Sequence, residues 1–188
     1  MATVPRSRSA RKATVRDLHR VEGRAELING RIVRMSSTGY RHGQIAQRTL
    51  LSVHMYAQAT RKGKVYTGSV AFLAHLTHRG SFSPDVAYYT GPPPDDPMDF
   101  LPCVPDFAVE IRSKRESGPA GERRMKAKRL DYFTAGTKVV WDVDPRNRTV
   151  SVYRAPAPQE ATVYKVGQTA EAEPALPGWR LPVKDIFG

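Results

Sequence analysis

Short apolar runs set between long polar stretches mark out this chain, and the spacing within each run predicts its element. From Thr14, TVRDLHRVEG predicts a short helix, with Thr14 as N-cap and Gly23 ending it in the left-handed conformation. AELINGRIVRM follows as two strand-like runs around Asn29-Gly30, the dipeptide of a tight hairpin turn. Between His42 and Ala59, the positions Ile45, Leu50, Val53 and Tyr56 recur near helical spacing among Gln44, Gln47, Arg48 and Gln58. This predicts a long helix stopped by Lys62-Gly63-Lys64. Short strands are expected at KVYTG, VAFLAHL, DVAYY and DFAVEI, and the last is apolar almost throughout, as in a strand covered on both faces. GPPPDDPMDFLPCVP at 91–105 is too rich in proline to be anything but an irregular connection. A second helix, ERRMKAKRLDYFTAG, is capped by Gly136, and the strands KVVWDVD and TVSVYRA flank the turn PRNR. The spaced apolar residues of PALPGWRLPVKDIFG predict an edge or cover.

Composition adds limits. With 188 residues, 40% of them hydrophobic, the chain suits one domain with a real core, and we place it over 14–188. Residues 1–13, where Arg6, Arg8, Arg11 and Lys12 alternate with Ser and Ala, read as a disordered basic arm, either lying along phosphates or simply solvated. Thirty Lys and Arg against 18 Asp and Glu leave a formal charge of +12, which points to a polyanionic partner, nucleic acid ahead of a membrane surface. The single cysteine, Cys103, excludes an intramolecular disulfide and a CxxC zinc site. No apolar run approaches the roughly 18 residues needed to span a bilayer, and no signal peptide is legible. The expectation is a cytoplasmic protein that does not engage membranes.

The candidate chemistry lies in two Pro-Asp pairs, in SPDVAYY at 83–89 and VPDFAVEIRSK at 104–114. Asp106 and Glu110 share one strand but stand about 13 Å apart at roughly 3.3 Å per residue, too far to share an ion. If DVAYY and DFAVEI pair antiparallel, however, Asp85 falls beside Glu110. Two acidic oxygens near one point are what a divalent cation needs. Asp106 then lies at the far end of its strand, where it reads as a residue that ends a loop.

These residues resemble a known family. SPD, then VEIRSK, then a basic helix looks like the PD-(D/E)XK nuclease superfamily. More closely, the chain is similar to the large bacterial Uma-two family of restriction-endonuclease-like proteins, also filed as a domain of unknown function. AELINGRIVRM, HGQIA, VVWDVDPRNRTVSVYR and LPGWRLPVKDIF match further segments of that family in order, over nearly the whole chain. The resemblance implies an α/β, restriction-endonuclease-like fold, a central mixed β-sheet flanked by helices, with metal-dependent hydrolysis of phosphodiester bonds. The noncatalytic alternative is a nucleic-acid-binding protein on the same fold.

Carried over by position, Asp85 and Glu110 would hold Mg²⁺ or Mn²⁺. Glu26 resembles an acid on the first strand that completes the site, with a surface hairpin glutamate as the alternative. His42 resembles the family's histidine at the start of the long helix, placed to bond a phosphate or orient a water, or only to cap or pack there. The superfamily pattern puts lysine two residues after the acid, whereas this chain has Arg112, always charged and better suited to clamping phosphate. The Lys-x-x-x-Tyr pattern of relatives is matched by Lys128 and Tyr132 on the next helix, from which a lysine can reach the same point. Glu122 reads as a helix N-terminal charge or a site residue. Arg112, Lys114, Arg123, Arg124 and Lys126 are expected on the nucleic-acid surface, DNA being the expected substrate. A homodimer is expected because nucleases of this fold that cut both strands commonly pair two sites.

Overall fold

The computed structural model describes residues 11–116 and 118–188. Of the basic arm expected over 1–13, residues 1–10 lie outside the described residues. At its end, Ala13 N–H donates to the Gly30 carbonyl at 2.7 Å and Arg11 pairs with Asp17 at 2.9 Å.

Thr14 caps α1 (Val15–His19) in a capping box, its hydroxyl accepting the Asp17 amide while the Asp17 carboxylate accepts the Thr14 amide. The helix ends at Arg20, ahead of the expected stop. Gly23 is left-handed, but in the loop beyond. With Leu18 as its one buried side chain, α1 has little packing to sustain another turn. Strands β1 (Ala25–Ile28) and β2 (Arg31–Arg34) form the expected hairpin, with Asn29 and Gly30 both at positive φ as a type I′ turn requires.

Helix α2 (Tyr40–Thr60) buries Ile45, Thr49, Val53 and Ala57, a stripe one turn apart, and ends at Arg61 in the left-handed conformation. The strands that follow are β3 (Lys64–Thr67), β4 (Phe72–Leu73), β5 (Ser81–Phe82), β6 (Val86–Tyr89) and β7 (Phe107–Ile111). Only Phe72 and Leu73 of the expected VAFLAHL strand pair, with β5, because the chain turns back at His78 and Arg79. Helix α3 (Pro119–Ala135) begins three residues before the expected ERRMKAKRL segment, Pro119 being suited to a first turn, and Gly136 caps it in the left-handed conformation. The chain closes with β8 (Val139–Asp144), β9 (Thr149–Arg154), β10 (Ala157–Lys165), β11 (Thr169–Glu171), β12 (Arg180–Pro182) and α4 (Val183–Phe187). Sequence pattern missed β10: it is an edge strand, largely exposed and bulged near its start, so it carries no apolar alternation.

The central sheet has the order β10-β9-β8-β7-β6-β3 and is mixed. Its β7–β8 pair is parallel and its other pairs are antiparallel. Strand alternation divides its faces. Phe107, Val109, Ile111, Val139, Trp141 and Val143 pack with α2 and the C-terminal segment, while Ala108 and Val140 pack with Tyr132 of α3. Each fully buried large apolar side chain contributes about 1.5–3 kcal/mol. The parallel β7–β8 pair is connected through α3, which therefore crosses the face on which Glu110 and Asp142 stand side by side. No described helix is long and apolar enough to cross a membrane.

Candidate active site

The antiparallel register of β6 and β7 sets Val86 opposite Val109, and just before β6 the Asp85 amide donates to the Val109 carbonyl at 3.0 Å. The Asp85 side chain reaches on to Ile111, whose amide it accepts at 2.7 Å. Asp85 thus stands at the Glu110 end of β7. Asp106 lies at the other end, accepting the amide and hydroxyl of Thr90 at 2.8 and 2.7 Å and pairing with Lys138 at 2.8 Å.

Three carboxylates gather on the α3 face, each buried and each met by a cation. Asp85 Oδ1 takes Arg24 Nη1 at 2.6 Å, and its Oδ2 lies 3.1 Å from His42 Nε2. Glu26 accepts the Ser83 amide at 3.0 Å and pairs with Arg79 at 2.7 Å. Lys128 Nζ joins the two glutamates, 2.9 Å from Glu26 Oε1 and 2.8 Å from Glu110 Oε1, and Tyr132 donates to the same Glu110 oxygen at 2.7 Å. Lysine and tyrosine four residues apart on a helix share one face, which is why both reach one carboxylate.

Environment pushes these acids apart. Burial alone would raise Asp85, but the hydrogen bond from His42 and the charge of Arg24 hold it down to about 2. Glu110 is pushed up to about 7, because burial, helped by the charges of Asp85 and Glu26, outweighs Lys128. In Glu26 burial is overcome by Lys128 and Arg79, and its carboxyl stays below the usual range. Burial works against the charge on Lys128, yet Glu110 and Glu26 hold the ammonium well above its ordinary value.

Arg24, His42, Asp85, Glu110 and Lys128 line a cleft of about 550 Å³, with Lys114 and Arg124 also on its wall, while Glu26 is buried behind it. Of the other residues expected on the nucleic-acid surface, Arg123 and Lys126 are exposed on α3 but do not line it. Arg112 is tied down: its guanidinium binds Asp142 at 2.6 and 2.8 Å and Glu122 at 2.6 Å, and Arg129 binds the same two acids at 2.6 and 3.2 Å. Two of the five cations on α3, Lys128 and Arg129, are therefore internal and point into acidic clusters.

Sequence reasoning missed Arg24, Arg79, Ser83 and Asp142. Two were accessible through strand alternation: Arg24 precedes Glu26 by two positions, and Asp142 stands beside Glu110 in the parallel register. Arg79 and Ser83 reach the site from the β4–β5 hairpin, which no local pattern ties to Glu26.

The sequence profile of a family described as "Uma2: Putative restriction endonuclease" matches residues 15–184. The chain belongs to the Uma2 family. A solved structure, titled as a putative nuclease belonging to DUF820 from Anabaena variabilis, is similar at 19% identity and a TM-score of 0.75 over 93% of this chain and 97% of that one. At that identity the likeness is one of fold. The architecture is accordingly that of a restriction-endonuclease-like α/β protein, with its mixed six-stranded sheet and flanking helices. No curated protein matches the chain.

Hard oxygen donors on adjacent strands suit Mg²⁺ or Mn²⁺. No group of three His, Cys, Asp or Glu side chains placed to hold an ion is found among the described residues. Mg²⁺, however, is commonly held by one or two carboxylates, waters and substrate phosphate rather than by a protein cage. Asp85 has both oxygens engaged, by Arg24, His42 and the Ile111 amide, whereas Lys128 and Tyr132 share Oε1 of Glu110, whose carboxyl lacks enough positive charge around it to ionise at its ordinary value.

Proposed function

We propose that this Uma2 protein is a metal-dependent nuclease that hydrolyses phosphodiester bonds of nucleic acid. The observation that carries the reading is Lys128, a helix-borne ammonium 2.8 Å from Glu110 at the point where the superfamily pattern would supply a strand lysine. Asp85 and Glu110 would hold Mg²⁺ or Mn²⁺, which supplies Lewis-acid polarisation of the phosphate and a bound water of lowered pKa. His42, fixed on Asp85, can orient that water or a phosphate oxygen. Lys128 offers a fixed charge to the anionic transition state, its position secured by Glu26. Lys114 and Arg124 on the cleft wall suit a phosphate backbone.

One observation favours a second reading, a nucleic-acid-binding protein without cleavage: Arg24 and Lys128 already occupy the places beside Asp85 and Glu110 that a cation would take. Calorimetric titration of Mn²⁺ decides between them. The nuclease reading expects binding to the wild type, its loss in Asp85→Ala and in Glu110→Ala, its retention in Asp106→Ala, and cleavage of nucleic acid with the metal. A wild type that takes up no Mn²⁺ and cuts nothing would leave the binding protein.

A further inference from the structure

A second cleft, of about 640 Å³, adjoins the acidic one and shares with it Gly39, His42, Ser113, Lys114 and Glu116. Its volume lies within the range of about 300–1,000 Å³ typical of small-molecule sites, enough for a nucleotide-sized group. Tyr40 stands on its wall with 76% of its surface exposed, and it is the exposed aromatic among the described residues. The buried stripe of α2 begins only at Ile45, so Tyr40 contributes nothing to the core. Its ring has no aromatic or cationic contact among the described residues, and its hydroxyl no hydrogen bond. Arg41, Lys114 and Arg146 line the same cleft, and the side chains of Lys114 and Arg146 form no ion pair among the described residues. His42 lines both clefts and contacts Asp85 at 3.1 Å, so the cleft that holds Tyr40 opens beside the acids at that residue.

An open aromatic face flanked by cations is what single-strand binders offer to a base and its phosphates. A base inside a duplex has both faces covered by its neighbours and presents only edges. Resting on the nuclease reading, we infer that this second cleft is a stacking subsite for an unpaired nucleobase, with Tyr40 as the platform. The substrate strand is then single or locally unpaired beside the scissile phosphate.

The test uses the full chain with a chelator present, so that nothing is cut. Fluorescence anisotropy compares a short single-stranded oligonucleotide, as DNA and as RNA, with the corresponding duplex, for wild type, Tyr40→Ala and Tyr40→Phe. The single strand should bind about tenfold or more tighter than the duplex, given stacking worth roughly 1–3 kcal/mol per base. Tyr40→Ala should remove that margin without changing the salt dependence, whereas Tyr40→Phe should keep it. A 2-aminopurine stepped along the strand should lose fluorescence at one position only, and recover it in Tyr40→Ala. Equal binding of strand and duplex, insensitive to Tyr40, overturns the stacking subsite and leaves the nuclease reading intact. Failure to bind any of the nucleic acids overturns both.

Discussion

Lys128 of α3 and Glu110 of β7 meet at 2.8 Å across the space between helix and sheet, on the carboxylate oxygen that also accepts Tyr132. If the ammonium serves the transition state, Lys128→Ala lowers turnover by about 10² to 10³, the scale for one preorganised charge, while Mn²⁺ affinity stays nearly unchanged. Lys128→Arg does not restore it, since a planar guanidinium does not fit the point between two glutamates that a compact ammonium occupies. Lys126→Ala, exposed and away from the cleft, spares turnover. Single-turnover kinetics and calorimetry on the three variants check this; equal, small losses from Lys126 and Lys128 would reduce α3 to a general basic surface.

The raised carboxyl of Glu110 gives the metal-free protein a pH signature. Moving from an ordinary 4.5 to about 7 on folding, Glu110 contributes stability that is full below 4.5 and is lost as pH rises through about 7. Asp85, held at about 2, loses its contribution only in strong acid and leaves this window alone. Thermal melts in chelator should therefore fall as pH rises through about 7, and Glu110→Gln should flatten that decline. Mn²⁺ uptake near neutral pH should release protons, measurable by calorimetry in buffers of differing ionisation enthalpy.

Asp142 is wholly buried and holds both Arg112 and Arg129. Asp142→Ala leaves two guanidiniums around an empty place and should cost about 3–5 kcal/mol in urea unfolding. Asp142→Asn, which keeps an acceptor, should cost clearly less. Identical losses would mean that the charge, and not the hydrogen bonds, is what counts.

At Gly121 a methyl group would collide with the backbone of Glu116, so α3 could no longer rest on the 3-10 turn Lys114–Glu116. Gly121→Ala should destabilise by about 1–3 kcal/mol through overpacking. Gly43, inside α2, has nothing within 4 Å of an added methyl, and Gly43→Ala should stabilise by about 0.5–1 kcal/mol. Differential scanning calorimetry of the two variants reads the contrast directly.

What the sequence disclosed follows from where the determining forces are local. Asn29-Gly30 and Thr14 act within a few residues, and each behaves as its chemistry predicts. The placement of Asp85 at the Glu110 end of β7 was also legible, because antiparallel pairing follows from apolar patterns. The reach of Lys128 towards Glu110 was legible through the family resemblance. The internal partners of the arginines were not: Arg112 reads as a phosphate clamp, and nothing in the residues beside Arg112 or Arg129 announces that Asp142 and Glu122 hold them both. β10 escaped for the opposite reason: as an exposed edge it answers to backbone pairing with β9 and not to any burial pattern.

In this chain, Arg112, two residues after Glu110, fastens β7 to β8 through Asp142, and the ammonium beside Glu110 comes from α3. The strand can thus complete its carboxylates before the charge that would serve them is in place. A folding chain that has closed β6 on β7 but not yet docked α3 holds two acids and no lysine. Lys128 arrives only with the helix that also buries Tyr132 and Met125, so the proposed chemistry is available to the finished protein and withheld from its precursors.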